Sequence, residues 1–176
     1  MLEEGAPTGR PLKWIQLLLH LAYTARRALL GVTGWRTRGV RAMVFDAAGR
    51  VLLVRHSYAA RDQWMLPGGG IAKQESAVAA AEREVREETG CRLTAVELLG
   101  VFDASEERWR TPVQLFDGVR DTVYLFGGTT ADVPKAGSWE ITHACFWPVD
   151  ALPPRTSPAT RRRVAEWQAD RYADLW

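Results

Sequence analysis

From Leu12 to Leu30 the chain is apolar except at Lys13, Gln16, His20, Thr24, Arg26 and Arg27, and five of these polar positions recur at intervals of three or four. That spacing draws one narrow polar stripe along an amphipathic helix, and Gly31 and Gly34 stop it. A helix so apolar has to cover most of its surface, against its own domain, a second subunit or a membrane surface. Ahead of it, residues 1–11 carry Gly5, Pro7, Gly9 and Pro11 and read as a loose terminus. Val40–Phe45 and Val51–His56 are β-branched-rich runs joined by Asp46-Ala47-Ala48-Gly49-Arg50, the pattern of a hairpin. Pro67-Gly68-Gly69-Gly70 forms a loop that neither helix nor strand absorbs. From Ser76 to Thr89 the pattern is helical, with Val78, Ala81 and Val85 as the apolar stripe and Gly90 as the cap. Further strands are predicted at Leu93–Val101, Val113–Phe116, Thr122–Phe126 and Ile141–Trp147, with turns at Asp117-Gly118 and Gly127-Gly128. A closing helix is predicted from Pro158 to about Tyr172. Strands on both sides of a central helix predict an α/β sandwich around a mixed sheet.

Composition narrows the class. At 176 residues, 47% hydrophobic and 25% charged, the chain suits one globular domain with a real core and holds no low-complexity tract. A net charge of +2 is too small to draw a nucleic acid by long-range attraction, so no specific nucleic-acid partner is expected. The run Arg161-Arg162-Arg163 reads as a solvated helix face, and most of the eight tryptophans as packing residues. Cys91 and Cys145 have no CxxC or histidine company, which argues against a structural zinc site. They read as reduced thiols, and the expected compartment is the cytoplasm. The polar interruptions leave no 18-residue apolar run between Trp14 and Leu30, so that helix is not expected to span a membrane.

The chemistry gathers between residues 64 and 91. Three successive glycines permit backbone conformations and close approaches that side chains forbid, so such a loop can turn amides or carbonyls toward an ion or a phosphate. Glu84, Glu87 and Glu88 follow at i, i+3 and i+4, on one helical face, where like charges repel. Carboxylates beside a backbone carbonyl make an oxygen-rich set suited to magnesium or manganese rather than zinc.

At every fixed position Gly69-x5-Glu75-x7-Arg83-Glu84-Val85-x-Glu87-Glu88-x-Gly90-Cys91 resembles the box of the Nudix hydrolase family. Seven specified residues at fixed spacing arise by chance on the order of once in a hundred million starts. Trp64-Met65-Leu66-Pro67-Gly68-Gly69-Gly70 resembles the family's lead-in, and residues 37–153 its frame. Two positions depart from it: Gln74 stands where many members carry glycine, and Cys91 where an aliphatic residue is commoner.

The resemblance implies a Nudix-type α/β/α sandwich at residues 37–153, preceded by a tail and amphipathic helix at 1–36 and followed by a packing helix region at 154–176. It implies a metal-dependent hydrolase that cleaves the diphosphate bond of a nucleoside diphosphate linked to another moiety, by attack of an activated water at phosphorus. Glu84, Glu87 and Glu88, with the Gly68 carbonyl, are then the expected ligands of Mg2+ or Mn2+. Arg83 is expected to fork onto Glu84 or Glu87 and hold them, and Glu75 to support the loop or an outer water. The base is either Glu140 or Glu88. Arg55, Tyr58, Arg61 and Trp64 are the candidate substrate contacts, by phosphate pairing and base stacking. Residues 106–110 are expected to form a specificity loop, and His143 to be structural.

Three alternatives stay open: a non-catalytic nucleotide-binding or regulatory module, an RNA-directed pyrophosphatase, and a membrane-peripheral hydrolase of a diphosphate-linked lipid or sugar precursor. The intact glutamates argue against the first and the near-neutral charge against the second. Residues 12–30 would give the third its membrane-surface contact, and the same apolar helix independently makes a homodimer an expectation.

Overall fold

A computed structural model describes residues 37–56, 63–103, 121–138 and 140–172. The expected helix at 12–30, the strand at 113–116, the loop at 106–110, and Tyr58 and Arg61 lie outside them. Two core strands come first: β1, Thr37–Phe45, and β2, Val51–His56. The turn between them is built by Asp46, whose Oδ1 accepts from the amides of Ala48 at 3.0 Å and Arg50 at 2.8 Å. The chain continues through β3 (Trp64–Met65), α1 (Ala77–Thr89), β4 (Thr94–Asp103), β5 (Asp121–Thr129), β6 (Ile141–Trp147) and α2 (Pro158–Gln168).

The sheet is mixed. β1 runs parallel to β5 over nine residue pairs, from Thr37↔Asp121 to Phe45↔Thr129. β4 pairs antiparallel with β5, and β2 antiparallel with β6 and β3. β1 meets β2 at the hairpin end alone, Phe45↔Val51. Farther back its amides serve the glycine loop: Val40 N–H donates to the Gly69 carbonyl and Ala42 N–H to that of Pro67, each at 2.9 Å.

Side-chain alternation along β1 feeds two cores. Val40, Ala42 and Val44 pack with Ala80, Ala81 and Val85 of α1, whereas Met43 and Phe45 pack with Leu66, Phe102 and Val164 on the α2 side. Helices thus cover both faces, as expected for the sandwich. Trp64 and Trp147 meet edge to face at 5.6 Å and Phe45 stacks on Trp167 at 4.3 Å, so Trp147 and Trp167 pack as expected. Cys91 and Cys145 are free thiols.

Four local expectations are corrected. Val78 is 40% exposed and Ala80 takes its place against the sheet; in the run Ala77-Val78-Ala79-Ala80-Ala81 periodicity cannot fix the helix phase. α2 ends at Gln168 rather than near Tyr172, and Asp170 follows at φ +50°. Arg163 is fully buried, not part of a solvated face. Gly127 and Gly128 lie inside β5 rather than in a turn. Their role is close approach: a Cβ on Gly128 would stand 2.6 Å from Leu93 Cδ1 and 2.8 Å from the Thr94 carbonyl oxygen. Because that oxygen belongs to the β4 backbone it cannot yield. Gly128→Ala is therefore expected to destabilise the protein by about 1–3 kcal/mol, read as a lowered urea midpoint at unchanged slope.

Candidate active site

Ser76 opens α1, its hydroxyl accepting the Ala79 amide at 3.2 Å, and Gly90 closes it at φ +70° with its amide on the Arg86 carbonyl. These caps fix the helix against the glycine loop and leave one face for the acidic residues. Arg83 is the hub of that face. Its Nε and Nη2 fork onto the two oxygens of Glu75 at 2.8 and 3.0 Å. Nη1 reaches Glu84 Oε1 at 2.8 Å and Glu87 Oε2 at 3.2 Å, and Nη2 also donates to the Gly70 carbonyl at 3.0 Å. Glu75 is thus the main partner of Arg83, with Glu84 and Glu87 sharing one nitrogen. The fork holds the Glu75 carboxyl down at about 2. The Ala72 amide donates to the same carboxyl at 2.8 Å within the loop, so Glu75 supports the loop as expected and joins it to the helix through Arg83. Between Ala72 and Glu75, Gln74 stands at φ +66°, the left-handed region that glycine occupies most cheaply. Here the departure from the family's glycine acquires a conformational cost.

The glycine loop fits the glutamates by what it lacks. Gly69 passes so close to Glu84 that a Cβ would come within 2.5 Å of Oε1. Gly68, at φ +143°, would with a side chain overlap the Val40 carbonyl. Its amide donates to Glu88 Oε2 at 2.9 Å. Glu88 is 7% exposed, and burial pushes its carboxyl up to about 7, the charges of Glu84 and Glu140 adding to the rise while Arg41 and the Gly68 amide oppose it. His56, also buried, comes within 3.6 Å of Glu88 Oε1. Burial, and then the charge of Arg41, hold its imidazole down at about 4, so the contact is not an ion pair at neutral pH.

The approach to β6 completes the acidic face. The amides of Lys135 and Gly137 donate to the carbonyls of Thr89 and Glu88, each at 2.9 Å, docking this segment on the end of α1. Glu140 follows, half-buried, its carboxyl raised by burial and by the charge of Glu84.

Among the described residues no three carboxylate, imidazole or thiolate side chains form a ready metal cage. Glu84, Glu87 and Glu88, the expected ligands, each have protein partners here. Arg83 holds the first two, Glu88 turns onto the Gly68 amide, and the Gly68 carbonyl accepts from Arg41 at 2.7 Å. The donor set nevertheless fits a hard dication in kind and charge. Its groups are all oxygens, and the repulsion among Glu84, Glu88 and Glu140 is what a cation would relieve.

The candidate substrate contacts divide. Arg55 lies in β2, paired with Trp64 and His143, its guanidinium 5.6 Å from the Trp64 ring centre. Trp64 is 9% exposed and belongs to the second core. Arg41 is not among the residues that the sequence pattern marks for the site, whereas His56 ends the strand that carries Arg55. The available signal for Arg41 was a lone cation inside the apolar run Val40–Phe45.

Comparison with known proteins identifies the family and the fold. Diphosphoinositol polyphosphate phosphohydrolase 2 of Rattus norvegicus is 44% identical over 52 residues, 30% of this chain and 29% of its own length. An RNA pyrophosphohydrolase of Teredinibacter turnerae is 37% identical over 87 residues, 49% of each chain. The chain therefore spans about half or less of the curated relatives it matches. A MutT NUDIX hydrolase structure from Burkholderia pseudomallei superposes with a TM-score of 0.61 at 24% identity, covering 74% of this chain and 97% of that one. A UDP-X diphosphatase structure gives 0.60 at 25% identity, covering 85% and 72%. The sequence profile of the NUDIX domain matches residues 35–168, and the chain belongs to that family.

Proposed function

We propose that this chain is a metal-dependent hydrolase of the diphosphate bond in a nucleoside diphosphate linked to another group. The observation that carries the reading is the gathering of Glu84, Glu87 and Glu88 on one helix beside the glycine loop, where Gly69 passes against the Glu84 carboxylate and the Gly68 amide meets Glu88. A protein retains such clustered negative charge where a cationic ligand offsets it. Glu84, Glu87 and Glu88, with the Gly68 carbonyl, would hold Mg2+ or Mn2+. When bound, the ion neutralises diphosphate charge and lowers the pKa of water.

The protein's own groups supply the rest. Arg83 holds Glu84 and Glu87 in place from the Glu75 anchor. Glu140 takes the proton of the attacking water. The new P–O bond forms as the bridging P–O bond breaks, and two phosphorylated halves leave. Arg55 is proposed as a phosphate contact. The burial of Trp64 favours packing over base stacking for that ring.

The names of the relatives span RNA ends and phosphorylated inositols. The test is accordingly a panel of nucleotide sugars, nucleoside triphosphates, dinucleotides, 5′-triphosphate RNA and a diphosphoinositol phosphate, each with Mg2+ and with Mn2+. Metal-dependent release of phosphate-bearing products is expected from at least one. Glu87→Gln should slow it about tenfold to a thousandfold. No turnover on any member would refute the reading, and an unchanged rate in the variant would refute the ligand assignment.

A further inference from the structure

We infer that Arg41 is the positioning residue of the glycine loop, holding the Leu66 and Gly68 carbonyls so that the Gly68 amide stays on Glu88. In its consequence for turnover this rests on the hydrolytic function proposed above. In its structural part it does not.

The loop runs along β1 with its carbonyls alternating in direction, as an extended chain must. Those of Pro67 and Gly69 point to β1 and accept from Ala42 and Val40. Those of Leu66 and Gly68 point elsewhere, and both residues are buried, so each carbonyl needs a donor. Arg41 supplies it. One nitrogen, Nη1, donates to the Gly68 oxygen at 2.7 Å and to the Leu66 oxygen at 3.2 Å. An arginine in a strand flanked by the buried Val40, Ala42 and Met43 is a costly choice for packing alone.

Gly68 needs such a clamp. At φ +143° and without a side chain it has nothing of its own to fix its orientation. Its amide is held by an anion, Glu88, and its carbonyl by a cation, Arg41. Releasing one leaves the loop to turn about the other. A carbonyl oxygen also has two lone pairs, so the Arg41 bond fixes its direction while one pair stays free for a second partner. The same cation is the positive charge opposing the burial of Glu88.

Arg41→Met keeps the apolar stem and removes the donors, and Arg41→Lys keeps a single point charge without the planar fork. The first readout is amide exchange of the metal-free protein. Residues 66–71 should exchange roughly tenfold faster in Arg41→Met, with the β5 amides at 122–126 unchanged. The second is steady-state kinetics on whichever substrate the wild type cleaves. Roughly a 10- to 100-fold loss of kcat is expected in Arg41→Met, with KM within about threefold and partial recovery in Arg41→Lys. A raised KM at constant kcat would overturn the inference in favour of direct substrate contact, and unchanged loop exchange would overturn it outright. A wild type without turnover would count against the hydrolytic reading alone, since loop exchange still decides the role of Arg41.

Discussion

Replacing Glu88 by glutamine is expected to stabilise the metal-free protein above neutral pH and to abolish most of its turnover. In the fold the Glu88 carboxyl titrates at about 7, against an ordinary value of 4.5. A folded-state value above the unfolded one means that the neutral form is favoured by folding. That stability is complete below 4.5, is lost as pH rises through 7, and amounts to about 3 kcal/mol for such a shift. His56 has the opposite sign. Its value falls from 6.5 to about 4, so its contribution is complete above 6.5 and lost as pH falls through 4. Between about 4.5 and 6.5 the unfolded pair carries one proton, on the imidazole, and the folded pair also carries one, on Glu88. The two slopes cancel there.

Glutamine mimics the protonated carboxyl, can still accept from the Gly68 amide, and never ionises. The stability difference between Glu88→Gln and wild type should therefore be near zero at pH 4 and grow to about 3 kcal/mol at pH 8, read by urea denaturation in the presence of EDTA. Added Mg2+ should stabilise the wild type and leave the variant behind, because a ligand stabilises only the state that binds it. Turnover should fall by about two to four orders of magnitude. A variant less stable than wild type at pH 8, or a difference that does not grow with pH, would contradict the burial argument whatever happens to activity.

The parts of this site that were legible in the sequence are those made within one short stretch of chain. Glu75, Arg83, Glu84, Glu87 and Glu88 are joined by a loop and one helix, whose 3.6-residue period fixes which side chains share a face. Gly68 and Gly69 were legible as conformational necessities. The specific bonds were less so. That Arg83 prefers the oxygens of Glu75 depends on how the loop folds back onto α1, which helical spacing does not encode. Arg41 and His56 come from strands, and their place beside Glu88 is set by the pairing of β1 with the glycine loop and of β2 with β6. No local pattern specifies such pairing. The glycines of β5 mislead for a related reason: a turn and a close strand approach call for the same residue. The two-residue strand Trp64–Met65 is too short to have a period at all.

Arg163 gives the sharpest contrast between a charge run read as surface and the packing it enters. Its side chain is wholly buried, its guanidinium carbon lies 4.1 Å from the centre of the Phe102 ring, and Nη1 meets Glu166 at 2.9 Å. Phe102 is itself 3% exposed, so the cation lies where α2 packs over β4 and where Tyr172 also approaches the ring. Truncation to alanine removes the stem from the core, the cation from the ring and the partner from Glu166. The first two losses leave a cavity and a bare aromatic face. The third is milder than in a sealed interior, because the Glu166 side chain keeps 16% of its exposure. The expected sum is about 3–4 kcal/mol, whereas Arg162→Ala, on the exposed side of the same helix, should change stability by no more than about 0.5 kcal/mol. Arg163→Met separates the causes. It fills most of the volume without the charge, so recovery of more than half the loss would assign the effect to packing. Turnover per folded molecule should be unaffected in all three, since α2 covers the face of the sheet opposite α1. If Arg163→Ala unfolded within about 1 kcal/mol of Arg162→Ala, the buried guanidinium would not be what fastens α2 to β4.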